Sequence, residues 1–341
     1  MVSTALFGHS VTFEDKDITF VVQGPVSRTD GAKTSDTIAS IRHFFPKSHL
    51  ILSTWEDEDT DAIAADEVIK SADPGPIVSD YEGLQISNNV NRQITSTRAG
   101  MEKAQTPFAV KLRSDARVTG RGFVSLDQHF PARLPQDRVF ERRIVISKQI
   151  TRSSRSFVPM AYHPGDLFQF GLTSDLRFFW KADLLDGQAL CDFILARTPD
   201  VRFKMFDRFR YTTEQYLFLS ALNRAGHNPK LRDYAEINDQ IVADSEQMLF
   251  NNFIPCEPEI LGIFHQRFSY RAQQSLVEDC LGLREFLAWY LGAPTQLGAG
   301  ALVGTTAPRM SLMLRAERVG REVLKHNRLM RSLYAGRFLK R

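Results

Sequence analysis

The stretch Asn88–Arg117, NNVNRQITSTRAGMEKAQTPFAVKLRSDAR, decides how the rest of the chain reads. Ile94, Ala99, Met101 and Ala104 recur near helical spacing, with Asn, Arg, Gln and Lys on the other faces, so an amphipathic helix is expected. Thr106-Pro107 breaks it, and Phe108–Leu112 follows as a short apolar strand. Arg113, Ser114 and Asp115 stand directly beyond that strand. In an open α/β sheet ligands bind outside the carboxyl ends of the strands, which makes Asp115 a candidate for chemistry. The competing reading is a surface turn closed by a salt bridge.

Working back toward the N-terminus, Asp17–Val22 is β-branched and apolar and stops at Gln23-Gly24-Pro25, where a glycine lets backbone amides approach a ligand. Thr34-Ser-Asp36 offers a helix cap, with Ile38, Ile41 and Phe45 as the buried stripe until Pro46. His49–Trp55 is a second strand and Val68–Ser71 a third, before Asp73-Pro-Gly-Pro76. The first 117 residues therefore read β-α-β-β-α-β. That alternation predicts a mostly parallel sheet covered by helices on both faces, with Gly24, Trp55 and Asp115 on one rim.

Working forward, Arg138–Ser147 has strand content and Ile150–Ser156 is a polar, arginine-rich loop, expected to move around a ligand. His163 and Asp166 lie on a proline-glycine turn beside aromatics, a setting for sugar recognition or simply a self-capped turn. Asp175–Trp180 and Ala182–Leu195 read as helical. In Tyr211–Leu222, Thr212 or Thr213 can cap a helix whose first turn holds Glu214. A carboxylate there is favoured by the helix dipole, so capping and catalysis both explain it. Ile260–Phe264 reads as a late strand, followed by His265 and Arg267, which suit a phosphate, a metal or a solvated strand end.

The bulk numbers set limits. A chain of 341 residues with 43% hydrophobic and 24% charged residues is an ordinary globular composition, long enough for one large domain or two small ones. Its net charge of +3 hides an asymmetry: residues 309–341 carry ten Lys/Arg against two Glu, which leaves −5 for the remainder. On a helix, Leu312, Ala316, Val319, Val323, Met330 and Tyr334 would share a face, so this basic tail reads as an anchor for anionic lipid or as a segment packed on the acidic body. Without interleaved stacking platforms it makes nucleic acid no serious partner. The three cysteines, Cys191, Cys256 and Cys280, show neither metal-ligand spacing nor a disulfide framework. The first residues lack the pattern of a secretory signal, and no apolar run reaches transmembrane length. A cytoplasmic protein, peripheral on the inner face of the membrane, is expected.

Several ordered motifs carry a family likeness. The helix and strand of Asn88–Asp115 resemble the segment of GT-A glycosyltransferases in which a helix bearing Arg/Asn precedes a strand ending in a D-x-D motif. Val21-Val-Gln-Gly-Pro25, Ile51-Leu-Ser-Thr-Trp55, Asp73-Pro-Gly75, Asn89–Ile94, Lys111-Leu-Arg-Ser-Asp115, His163-Pro-Gly-Asp166 and Glu214-Gln-Tyr-Leu217 together resemble the WavE lipopolysaccharide-synthesis family. The likeness covers residues 17–270 and implies a GT-A-like, Rossmann-like α/β domain, with 17–117 as the nucleotide-sugar half and 118–270 as the acceptor half. Residues 271–341 would form a helical C-terminal extension.

That resemblance implies a nucleotide-sugar donor and a glycan or glycolipid acceptor. It makes Asp115 a metal-binding acid with His265, for Mg²⁺ or Mn²⁺, and Glu214 or Asp166 the general base. Gln23, Gly24, Pro25, Thr54, Asn91, Arg92, Arg113 and Arg267 become donor-binding candidates, and His163 and Trp180 acceptor-side ones. The chain departs from the pattern at one place: Arg113 stands where D-x-D has its first acid, so only one carboxylate is left for a metal, and Arg113 is free to meet a diphosphate directly. A nucleotidyltransferase is the first rival, weakened by the single glycine and single arginine of Gln23–Arg28. A non-catalytic glycan or membrane-surface scaffold with a decayed donor site is the second.

Overall fold

The structure, a computed structural model, describes residues 14–81, 84–156, 158–187, 210–266 and 279–292. Strand β1 (Ile18–Gln23) is buried along its whole length, as β-branched and aromatic residues are in a strand covered on both faces. Its partners are β2 (His49–Trp55) on one side and β6 (Phe108–Arg113) on the other, both parallel. On the β2 side, β3 (Glu67–Ser71) closes the edge, with its side chains alternating in exposure. Beyond β6 lie β9 (Phe168–Leu172), β8 (Ile144–Ser147) and β10 (Phe253–Cys256), giving the order β10-β8-β9-β6-β1-β2-β3. Only β9 runs against its neighbours. The seven-stranded sheet is thus mostly parallel, a GT-A-like α/β arrangement.

Neighbouring residues of β1 show how both faces are covered, because successive side chains point to opposite sides. Phe20 meets Phe45, just past helix α1 (Thr34–Phe44), with ring centroids 5.0 Å apart, and Phe123 joins the same cluster. Val21 meets helix α2 (Val90–Lys103) on the other side. A Cβ on Gly100 would lie 2.4 Å from Val21 Cγ1, so only glycine allows this helix to sit so close. Helix α3 (Thr173–Trp180) packs beside α2 and against α4 (Thr213–Arg224), and α5 (Asp239–Asn252) leads directly into β10. Short helix α6 (Pro258–Leu261) precedes β11 (Ile263–His265), which pairs antiparallel with β7 (Ala116–Val118).

Several local expectations change. The hairpin β4 (Ile77–Tyr81)–β5 (Leu84–Asn88) precedes α2 and had no place in the β-α-β-β-α-β reading, although Ile77, Val78, Tyr81, Leu84 and Ile86 are strand-forming residues on either side of Glu82-Gly83. Helix α1 is capped at Lys33, and Thr34 lies inside it. Ala99 is half-buried while its neighbour Gly100, outside the expected stripe, makes the close contact. In Arg138–Ser147 only the last four residues form strand, and Ile260 belongs to α6. Residues 182–186 are not helical, and the remainder of that expected helix lies outside the described residues. The arginine-rich loop is not a loose surface segment: Thr151, Arg152, Ser153 and Ser154 are buried, and Arg152 bridges to Cys280. Helix α7 (Leu283–Gly292) sends Phe286 and Trp289 into the common core, which therefore continues past residue 270. Arg267, Cys191 and the basic tail lie outside the described residues.

Candidate functional site

Because β2, β1 and β6 are parallel neighbours, Trp55, Gln23 and Arg113 leave the sheet at one edge. The first loop and the acid-bearing loop are joined there. Ser114 N donates to Gln23 O at 3.0 Å, and Ser114 Oγ donates to Pro25 O at 2.7 Å. Gly24 has φ +114, and a Cβ on it would lie 3.2 Å from Ser114 Oγ, so glycine is required. The carbonyl of Ser114 in turn accepts from the Thr34 and Thr37 hydroxyls, each at 3.0 Å, which pins the start of α1 to the end of β6. The glycine-proline loop and Asp115 form one shelf.

Asp115 is held from two sides. Arg113 grips it with both ends of its fork, Nε to Oδ1 at 2.9 Å and Nη2 to Oδ2 at 2.8 Å. His265 comes from far along the chain, delivered by the pairing of β11 with β7, and its Nε2 lies 3.2 Å from Oδ1. Burial alone would raise the Asp115 pKa, but the hydrogen bonds from His265 and Arg113 outweigh it and hold the carboxyl well below the usual range. Asp115 is a carboxylate at every physiological pH.

Beside this pair, on the same face of β6, the fully buried Lys111 points its ammonium at Asp166, bonding its backbone carbonyl and lying 3.4 Å from Oδ2. Trp180 lies under it, 5.0 Å from ring centre to Nζ, and is fixed by an indole N–H bond to Gln169 Oε1 at 2.7 Å. Burial pushes the Lys111 pKa down, against the pull of Asp166. Asp166 stands at this edge because β9, which starts two residues later, runs back from it: Phe168 pairs with Leu112.

Glu214 completes the cluster. The helix cap is supplied by Thr212 and Gln215, which exchange bonds of 3.2 Å in a capping box. Glu214 is therefore not needed as the cap, and its carboxyl, 13% exposed, sits 3.5 Å from His163 Nε2. Burial first, and the neighbouring Asp166 charge second, push its pKa up to about 8. Burial also takes the His163 pKa down to about 3, helped by the positive Arg152, so this imidazole is neutral. The two loops that carry Arg152 and His163 each hold a non-glycine residue in left-handed backbone, Ile150 at φ 69 and Tyr162 at φ 54. Strain of this kind costs about 1–3 kcal/mol per residue and gathers at functional sites.

The remaining expected residues are distributed unevenly. Gln23 is buried and accepts from Ser96 Oγ at 2.8 Å, and Thr54 is fully buried with a hydroxyl that has no partner among the described residues. Asn91 spends its amide on the backbone of Leu185, at 2.8 and 2.9 Å. Arg92 is paired with Asp73. His163 is 2% exposed and Trp180 is fully buried, so neither offers an open face to an acceptor, contrary to expectation. Lys111 and Arg152 escaped the sequence reading. Lys111 had left a signal: one charge inside a strand, Phe108–Leu112, that has no exposed face.

For a divalent ion the donor set is poor. One carboxylate is present at the position, both of its oxygens carry guanidinium bonds, and no group of three His, Cys, Asp or Glu converges among the described residues. The residues as arranged do not fit a metal. No described helix is long and apolar enough to cross a membrane. A model of the family described as WavE lipopolysaccharide synthesis matches residues 18–292. No curated protein matches the chain.

Proposed function

The chain belongs to the WavE lipopolysaccharide-synthesis family, and from that premise we propose that it is a glycosyltransferase, moving a sugar from a nucleotide-sugar donor to a lipopolysaccharide core or other cell-surface glycan. The observation that carries the reading is a juxtaposition. One end of a GT-A-like sheet holds the glycine-proline loop, the Arg113–Asp115 pair and the buried Lys111–Asp166–Glu214–His163 cluster.

Transfer requires that the charge of the departing diphosphate be stabilised, that the donor be positioned, and that an acceptor hydroxyl lose a proton. Arg113 takes the first task, with Asp115 and His265 fixing its direction. A positioned cation aimed at developing charge contributes on the order of 3 kcal/mol. The Gln23–Pro25 loop positions the nucleoside through its backbone, and Glu214 accepts the proton. A base with a pKa near the working pH is suited to this, and such a group contributes about 10²–10⁴-fold in rate. Asp166 and Lys111 set the potential around Glu214, and Trp180 supports Lys111 from below. The basic segment 309–341 keeps the enzyme at the anionic inner face of the membrane.

Calorimetric titration with a panel of UDP-, GDP-, CMP- and ADP-sugars tests the reading. Saturable binding of one nucleotide sugar, with its slow hydrolysis, is the expected result. No binding across the panel overturns it in favour of a scaffold.

A further inference from the structure

Arg113 stands at the position of the first acid of the D-x-D pattern. Two carboxylates with a divalent cation carry no net charge, and one carboxylate with one guanidinium carries none either. The exchange of an acid for Arg113 therefore removes the metal's ligand and supplies a replacement for its charge in a single step. The replacement is also built into the fold. Arg113 uses Nε and Nη2 on Asp115, while its third nitrogen, Nη1, has no partner among the described residues, and the side chain is 31% exposed.

A metal ion seated on Asp115 would first have to displace a fork of two charge-assisted bonds, then sit beside the guanidinium it had displaced. Lys111, two residues back on the same face, repels it further. A diphosphate meets the opposite situation, since the Nη1–Nη2 edge of the planar guanidinium still has N–H donors for its oxygens while the Nε–Nη2 edge stays on Asp115.

We infer that the Arg113–Asp115 pair takes the place of a divalent cation, so that a diphosphate is recognised by Arg113 and no metal ion is held at this position. The inference rests on the transferase reading for its substrate, but its central test does not. The full-length protein is titrated with Mn²⁺ alone and followed by electron paramagnetic resonance. No saturable site is expected in the wild type. Arg113→Asp, which restores two acids at D-x-D spacing, is expected to create one, and adding Asp115→Asn to it should remove it again.

Saturable Mn²⁺ binding by the wild type that disappears in Asp115→Asn overturns the inference. In a second arm, inorganic pyrophosphate is titrated in the presence of EDTA. Wild type should bind, and Arg113→Met should weaken binding at least about tenfold, the loss expected for a hydrogen bond to a charged group. Pyrophosphate binding that requires added Mn²⁺ overturns the inference, whether or not the Arg113→Asp chain folds. A protein that binds no nucleotide sugar yet gives the expected Mn²⁺ result refutes the transferase reading alone.

Discussion

The two ends of the central sheet bury cations in different ways. At the carboxyl edge, Lys111 faces Asp166 and Arg113 faces Asp115, so each cation has a carboxylate beside it. At the amino edge, Arg143 is 2% exposed and donates to the carbonyls of Phe250, Phe130 and Ala132. Arg133 likewise bonds the carbonyls of Asn251, Phe140 and Glu141. These arginines complete the end of α5, whose last carbonyls have no partner within the helix. Burial lowers both of their pKa values to about 10, which leaves them charged. A cleft of about 290 Å³ opens beside them. The carbonyls held by Arg143 and Arg133 tie the end of α5 to the loops around it, whereas Arg113 is bonded to a carboxylate; Arg142, beside the cleft, pairs with Asp127 at 2.6 Å. On the proposed reading, the difference teaches that clustered arginines and a cleft do not by themselves mark the working end of the sheet.

The largest effect should come from breaking the carboxyl-edge pairing. Lys111→Met keeps volume but leaves Asp166 buried without its cation, and should cost about 3–5 kcal/mol in denaturant unfolding. A loss below 1 kcal/mol would show that the pair is not what fixes Asp166.

Next, Glu214→Gln should keep the fold and lower transfer at least about a hundredfold. Wild-type transfer should rise with pH as Glu214 ionises near 8, and the variant should lack that rising limb. The same shift has a cost in stability with a definite sign. The folded pKa lies above the ordinary value of 4.5, so the folded chain holds the proton longer. The contribution is complete below the unfolded pKa and is lost as pH rises through about 8, so thermal melts should show wild type losing stability over that range relative to Glu214→Gln. A pH-independent difference would remove Glu214 as the titrating group.

The smallest effect sharpens the contrast from the other side. Arg143→Leu strands carbonyls at the amino edge and should cost about 2 kcal/mol of stability, while the rate per folded molecule stays unchanged. A matching fall in that rate would mean the two ends are coupled.

Much of the fold was legible because local chemistry and tertiary structure agree. Strand β2 has the bounds its residues suggest, and β1 and β6 differ from theirs by one residue. The shared rim of Gly24, Trp55 and Asp115 follows once three neighbouring strands run parallel. The hairpin β4–β5 had a signal in Ile77, Val78 and Tyr81, then Leu84 and Ile86, on either side of Glu82-Gly83, but each run is short and the β-α-β-β-α-β alternation left it no place. The site was legible as a set of candidates, and Asp115, Asp166 and Glu214 do lie at one edge with Arg113, His163 and His265. What each candidate touches was not. Glu214 read as well as a cap as a base, and only the Thr212–Gln215 exchange relieves it of the first role.

The sequence by itself determined the order of the main strands and helices over the first 117 residues, the likeness to a lipopolysaccharide-synthesis family, and the single acid where the D-x-D pattern has two. These depend on periodicity, turn chemistry and residue type, all of which act over a few residues. Only the tertiary structure decided that Arg113 closes on Asp115, that Lys111 lies buried against Asp166, and that Trp180 is core. Lys111 and Asp166 are distant in the chain, and even the Arg113–Asp115 contact, only two residues apart, takes its geometry and protonation from burial and neighbouring charge, which exist only once the sheet has brought its strand ends together.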